Sequence, residues 1–313
     1  LIAHDGVAHA AWTDARAANF TAGTNEDVYT AAIFVDVPPV CDANGPYVAE
    51  CAGDPITLDG SASFDPDGGL LTSFTWEGLF LGSPASGETS TVQFLAPTGD
   101  KQVDLTVQDD ELDTAMCLAQ VTVQDTLPPS LTAPADVTAE CESPDGTAVD
   151  LGIPSVGDLC DTSVDVINDA PPLFPLGSST VTWTATDDAG NQATAGQAVV
   201  IEDTIPPVVM CNNPSTITPP DAPISFIVTA EDQCEGPIVP QITAFDCFKF
   251  TKKGKRIDKT ESCVVETGGN TITILDSGGV GDNIQWSVEA TDASGNTTTE
   301  ICSLGVANPG KGN

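Results

Sequence analysis

One phrase, written three times, constrains this chain more than any other feature. It reads Asp36-Val37-Pro38-Pro39, then Asp125-Thr126-Leu127-Pro128-Pro129, then Asp203-Thr204-Ile205-Pro206-Pro207. Paired prolines cannot donate to a strand ladder and they hold the backbone extended, so each phrase suits a stiff junction between sandwiches. A second phrase recurs late in each interval. Its copies are Val103-Asp104-Leu105-Thr106-Val107-Gln108-Asp109-Asp110, the run from Val181 through Trp183 to Asp187-Asp188-Ala189-Gly190-Asn191, and the run from Ile284 through Trp286 to Asp292-Ala293-Ser294-Gly295-Asn296. Each reads as an alternating strand, an acidic turn and a returning strand. Three copies of one ending predict three similar sandwiches.

The expected fold class is therefore all-β: tandem immunoglobulin-like β-sandwiches with an N-terminal β-hairpin remnant. The junctions divide the chain into 1–37, 38–125, 126–204 and 205–313. At 313 residues it is too long for one sandwich and suits three, plus a remnant. No stretch carries a clean helical period, and 28 Gly with 24 Pro punctuate short apolar runs. Hydrophobic residues at 40 % are enough for packed cores despite the charge. Trp76, Trp183 and Trp286 fall one per sandwich and read as core residues. The opening segment holds two alternating strands around a Gly/Asn-rich loop, too little to fold alone. It could add a strand to a neighbouring sheet.

Charge narrows the function. The chain has 9 Lys and Arg against 46 Asp and Glu, for a net charge of -37. Such a surface repels nucleic acid and anionic membranes and attracts cations. It also repels itself, so salt or bound divalent ions should favour the compact state. No run of 18 apolar residues predicts a membrane span. Catalysis finds little support, since the two histidines, His4 and His9, lie in the remnant hairpin and no nucleophile elbow, zinc motif or phosphate loop occurs. The chain opens on Leu1 with no signal-peptide pattern, and is expected to be a piece of a longer secreted precursor.

Ten cysteines without close metal-ligand spacing predict a disulfide framework made in an oxidising, extracellular compartment. Within modules, the expected pairs are Cys51 with Cys117, Cys141 with Cys160, Cys211 with Cys302, and Cys247 with Cys263 across a hairpin. Each would add roughly 2–4 kcal/mol. Cys41 and Cys234 are left over, so either this scheme is wrong or the two join modules or subunits.

Asp65-Pro66-Asp67-Gly68 sets two carboxylates in one turn, with Asp59 ahead of it and Asp109 and Asp110 in the late turn of the same module. That set can chelate calcium, or the turn can be solvated, with each Asp capping its own backbone. Asp187, Asp188 and Asn191 form the corresponding turn in the third segment, where Asx-turn chemistry is the stronger reading and calcium the weaker. Six of the nine cations, Lys249, Lys252, Lys253, Lys255, Arg256 and Lys259, crowd one short stretch and predict a hairpin with a cationic tip. A solvated turn and a contact to an acidic partner are both open: an anionic glycan or cell-surface polymer, or another copy of the chain. A positive tip on a negative chain would orient copies head to tail, which builds filaments rather than rings.

Family resemblance follows these residues. Gly45-Pro46-Tyr47, Ile56 to Ser61, Asp65 to Gly68 and Phe74-Thr75-Trp76 resemble a PKD domain, and that resemblance implies calcium in some members. Ala133 to Cys141, Phe174 to Val181 and Ala185 to Asn191 resemble a HYR (hyalin repeat) domain. Thr132-Ala133 stands where that family usually carries Cys-Pro, so its end-to-end disulfide is missing. The last segment is similar to HYR only at its ends, Cys211 to Pro214 and Ala290 to Cys302. Val7 to Arg16 resembles the closing strands of a sialidase-like β-propeller. Together these imply a secreted bacterial protein whose sandwiches serve structure or adhesion. The alternative they imply is a non-catalytic accessory tail of a propeller hydrolase that contacts polysaccharide.

Overall fold

The computed structural model describes residues 2–4, 7–13, 28–34, 37–218 and 223–307. Asp36 and the Asp14-Ala15-Arg16 part of the propeller-like run lie outside the described residues, as do the side chains of His4, His9 and Trp12. The opening segment is a three-stranded antiparallel sheet, with Val7–Thr13 between Ile2–His4 and Val28–Phe34. Beyond it the chain is tandem β-sandwiches, and the only helical element among the described residues is a short 3-10 turn at Thr260–Ser262. No described helix is long and apolar enough to cross a membrane.

Each sandwich is built around one long hairpin, as the repeated ending requires. In the first, Gly99–Asp109 pairs with Thr114–Gln124; in the middle one, Gly177–Thr186 neighbours Gln192–Glu202; in the last, Asp282–Thr291 pairs with Thr297–Val306. The returning strand always carries a short parallel partner on its other edge: Tyr47–Glu50, Val137–Glu140 and Thr216–Ile217. Alternation along these strands sends every second side chain inward. Val103, Leu105 and Val107 are buried with Leu58, Phe94 and Trp76 in the first core. Ile284, Trp286 and Val288 do the same with Ile272 and Ile274 in the last. Trp183 is buried in the middle sandwich, where its Nε1 donates to Gln197 Oε1 at 3.0 Å.

The chain forms two compact units. One comprises Leu1–Leu131, Val156–Val166 and Ala185–Ala193, and the other Thr132–Ser155, Ile167–Thr184 and Thr194–Asn313. The middle module therefore contributes loops to the first unit and its remaining strands to the second.

All ten cysteines are bonded: Cys41–Cys117, Cys51–Cys160, Cys141–Cys234, Cys211–Cys302 and Cys247–Cys263. Two expected pairs are thereby overturned. Cys51 follows Tyr47–Glu50, whose parallel register sets Glu50 against Gln124, so Cys51 lies beside the end of strand Thr114–Gln124. Cys117 is seven residues back along that strand, roughly 23 Å at strand rise, far beyond disulfide reach. Cys141 likewise donates its N–H to Glu202, the last residue of its strand, whereas Asp161, next to Cys160, receives Asp188 N–H ahead of that strand's first residue. Opposite strand ends cannot be bridged: Cys51, Cys141 and Cys160 find their partners in the adjoining module, and Cys117 pairs with Cys41 within its own.

Candidate metal centres

The Asp65 turn is held as its sequence suggests. Asp65 Oδ1 accepts Asp67 N–H at 3.1 Å and its carbonyl accepts Gly68 N–H at 3.3 Å. Asp109 ends its strand fully buried, and its Oδ1 takes the N–H groups of Glu111 and Asp113 at 3.1 and 2.8 Å. Carboxylate oxygens of Asp65, Asp109 and Glu111 lie within 4.8 Å of one another. Asp65 and Asp109 each keep a buried Oδ2 with no hydrogen-bond partner among the described residues. Gly69 makes room for the cluster: a Cβ there would stand 2.6 Å from Asp110 Oδ1 and closer still to Asp65 Oδ2. Burial pushes the Asp65 carboxyl up, and the charges of Asp67 and Asp109 push the same way. Backbone N–H donors, Val37 to Asp67 and Leu70 to Asp110, hold those two carboxyls down. Asp59 is no part of this group. Its Oδ1 caps Ser61 N–H and its backbone binds the Tyr47 hydroxyl.

Two further acid groups lie at the linkers and at turns for which the sequence makes calcium the weaker reading. In the first unit, carboxylate oxygens of Asp125, Asp158 and Asp161 lie within 4.8 Å of one another; in the second, so do those of Asp203, Asp232 and Asp292. The two share much of their bonding, although Asp161 of the first group holds the place of Glu235, which lies outside the second. Asp158 Oδ1 accepts the N–H groups of Cys160 and Asp161 at 2.6 and 3.0 Å, and Asp232 Oδ1 accepts those of Cys234 and Glu235 at 2.7 and 3.1 Å. The next acidic residue hooks the late turn: Asp161 Oδ2 takes Asp188 N–H at 2.9 Å, and Glu235 Oε1 takes Ala293 N–H at 2.6 Å. Asn191 and Asn296 donate side-chain N–H groups to Asp187 and Asp292, and also to the linker carbonyls of Asp125 and Asp203. Asp125, Asp203 and Asp232 each retain a buried, unpartnered Oδ2. Burial pushes the Asp125 carboxyl up, with the charges of Asp187, Asp158 and Asp161 adding to the effect.

Asp187, Asp188 and Asn191, read from the sequence as one turn, do not cluster as carboxylates with one another: Asp187 accepts from Asn191 and is not among the three of the first group. Asp188 is exposed and outside the acid group, and the Asn191 side-chain amide is committed as a donor. A partial sequence signal accompanies these groups: Asp158-Leu159-Cys160-Asp161 repeats as Asp232-Gln233-Cys234-Glu235, and each linker phrase begins with Asp, although neither pattern says which carboxylates meet.

A clamp and a disulfide flank each group. Glu50 accepts from Thr126 N–H, Thr126 Oγ1 and Gln124 Nε2 at 2.7 to 3.2 Å, bonds that hold its carboxyl low. Glu140 takes Thr204 N–H and Oγ1 at 2.7 and 2.8 Å. The residue after each clamp is the cysteine that crosses to the next module, Cys51 to Cys160 and Cys141 to Cys234.

The basic stretch forms a hairpin, Gln241–Phe250 with Arg256–Asp258. Lys249 Nζ pairs with Asp282 at 3.4 Å and donates to the Val280 carbonyl; Arg256 pairs with Asp246 and lies 4.2 Å over the Phe248 ring. Lys252, Lys253 and Lys255 are exposed on the turn, and Lys259 is half-buried.

Residues 124–201 match the family model of the HYR domain. Mouse sushi, von Willebrand factor type A, EGF and pentraxin domain-containing protein 1 is 33 % identical over 113 residues, 34 % of this chain and 3 % of that protein. Hyalin of Lytechinus variegatus is 34 % identical over 126 residues, 37 % of this chain and 24 % of hyalin. The chain therefore spans only a small part of these curated relatives. Among solved structures, the protocadherin gamma B2 extracellular cadherin domains 1–5 are 13 % identical with a TM-score of 0.35, covering 97 % of this chain and 66 % of that one. Mouse cadherin-23 EC22–24 is 16 % identical with a TM-score of 0.33, covering 87 % of this chain and all of that one, 100 %.

Proposed function

We propose that this chain is an extracellular structural and adhesive protein that carries tension, with no catalytic centre. One observation carries this reading. The disulfide loops 41–117, 51–160, 141–234 and 211–302 overlap in sequence, each with the next. Every peptide bond between Cys41 and Cys302 is therefore bridged by at least one disulfide, so neither unfolding nor a single backbone cut can part the modules. A spacer that works under load or among extracellular proteases needs that property, and such bonds persist in an oxidising compartment. Matches to HYR, hyalin and a sushi-domain protein support the adhesive class. In this reading the first sandwich is PKD-like and the Asp65–Asp109 pocket holds calcium, which would offset its crowded charge. The exposed Lys252, Lys253 and Lys255 turn contacts an acidic polymer or the acidic surface of another copy, head to tail.

Two measurements test the reading. Antibody labelling of intact source cells and their matrix is expected to find the chain outside; a cytoplasmic pool alone would defeat it. Pulling single chains by their termini is expected to show an abrupt limit to extension that disappears on reduction. Equal extension with and without reductant would remove the tension-bearing role.

A further inference from the structure

We infer that Asp203, Asp232 and Asp292 form a binding site for one calcium-class divalent cation, with Asp125, Asp158 and Asp161 as its counterpart in the other compact unit. Three carboxylate oxygens lie within 4.8 Å of one another in each group, a span that one ion with ligands at about 2.4 Å can bridge. Crowding alone does not make a site, but the orientation of the oxygens does. Asp232 is 6 % exposed, its Oδ1 is fully used by two N–H donors, and its Oδ2 is buried with no partner among the described residues. Asp203 Oδ2, on the linker, is buried and unpartnered in the same way. Two buried anionic oxygens facing a third carboxylate, with no cation from Lys or Arg beside them among the described ion pairs, require a countercharge. Protein donors are already spent on shaping the group: Asn296 holds Asp292 by both N–H groups and the linker by the Asp203 carbonyl. Hard, all-oxygen ligands select calcium or magnesium over transition metals, and a cluster supplied mainly by carboxylates suits calcium, which sheds its water more readily. The Cys141–Cys234 bond holds Asp232 close to Glu140, whose clamp on Thr204 holds Asp203, so linker and turn are presented to the ion already placed.

The test is calorimetric titration of calcium chloride into the intact, EDTA-stripped chain, in 0.15 M salt with 2 mM magnesium. Asp203→Asn and Asp232→Asn are each expected to bind one ion fewer per chain than the parent, and Asp125→Asn one fewer from the counterpart. Asp54→Asn, an exposed change outside the groups, is expected to leave the number unchanged. Because Asp232 also shapes its turn, peptide mapping of Cys141–Cys234 checks that each variant is correctly folded. Should Asp232→Asn misfold, Asp203→Asn decides, since no protein donor binds its buried oxygen. An undiminished number of bound ions in Asp203→Asn overturns the site; loss of all calcium binding to 2 mM magnesium overturns the calcium class. Either result leaves the tension-bearing reading standing, since that reading rests on the disulfides.

Discussion

The junction around Asp125 and the junction around Asp203 share their hydrogen bonds but not their charges. Both use an Asp turn to receive two N–H groups, an acidic hook on the late turn, an Asn tie to the linker and a Glu clamp on the linker Thr. Around that common frame, Asp161 and Asp188 in the first junction correspond to Glu235 and Ala293 in the second. The clamp differs as well: Gln124 donates to Glu50, whereas its counterpart Glu202 has nothing to donate to Glu140. What is kept is the satisfaction of backbone N–H groups, which a buried turn cannot forgo. What varies is the number of carboxylates, which an ion or solvent can compensate.

The largest effect should come from cutting the ties. Replacing Cys51 and Cys160 together by Ser opens a loop with sequence separation 109, and replacing Cys141 and Cys234 opens one of 93. By chain entropy each should cost about 4.7 kcal/mol, against about 3 kcal/mol for the 16-residue separation of Cys247 and Cys263. Urea midpoints at unchanged slope measure this. A loss under about 1 kcal/mol at either junction would show that its hydrogen bonds and acid group suffice without the disulfide.

Next is Gly69→Ala, which forces a methyl into the Asp65 and Asp110 carboxylates. The expected cost is about 1–3 kcal/mol by thermal melting, with calcium lost from that pocket and both junctions unaffected. Loss of ions from the junctions too would mean that the three acid groups are not independent.

Glu50→Gln should cost about 1 kcal/mol, and Glu140→Gln less, because Glu50 serves one more donor. The pH dependence follows from the lowered Glu50 carboxyl. Its contribution is complete above the ordinary Glu value of about 4.3 and is lost as pH falls through the lower folded value. Acid titration of stability should therefore be shallower in Glu50→Gln than in the parent below about pH 4; identical curves would show the clamp adds nothing.

The smallest change in stability is expected from replacing Lys252, Lys253 and Lys255 by Ser, within about 0.5 kcal/mol of the parent. Sedimentation at low salt should nevertheless show weaker self-association. If the acidic surface beside the first junction is the acceptor, Asp188→Asn, which removes an exposed charge there, weakens it too.

Much of the architecture was legible in the residues themselves. Alternation at Val103, Leu105 and Val107, and the Gly-Asn turn ending at Asn191, define a hairpin locally, so three repeated hairpins meant three sandwiches. Linker prolines predict junctions for the same local reason. Of the Asp65 group, the Asp65 turn and Asp109 could be read along the chain, whereas the nearness of Glu111 and the separation of Asp59 could not, because proximity in sequence does not say which carboxylates share a strand end.

Cys211–Cys302 and Cys247–Cys263 pair as the sequence suggests, whereas the pairs that cross modules and the two junction groups were decided only in three dimensions. A local pattern shows that Cys51 follows a strand; only the parallel register of Tyr47–Glu50 against Thr114–Gln124 carries it seven residues beyond Cys117 and toward Cys160. Asp203, Asp232 and Asp292 are each ordinary in their own stretch of chain. They become one group because a linker, a turn and a hairpin end converge, and that convergence is set by long-range packing that no sequence period records.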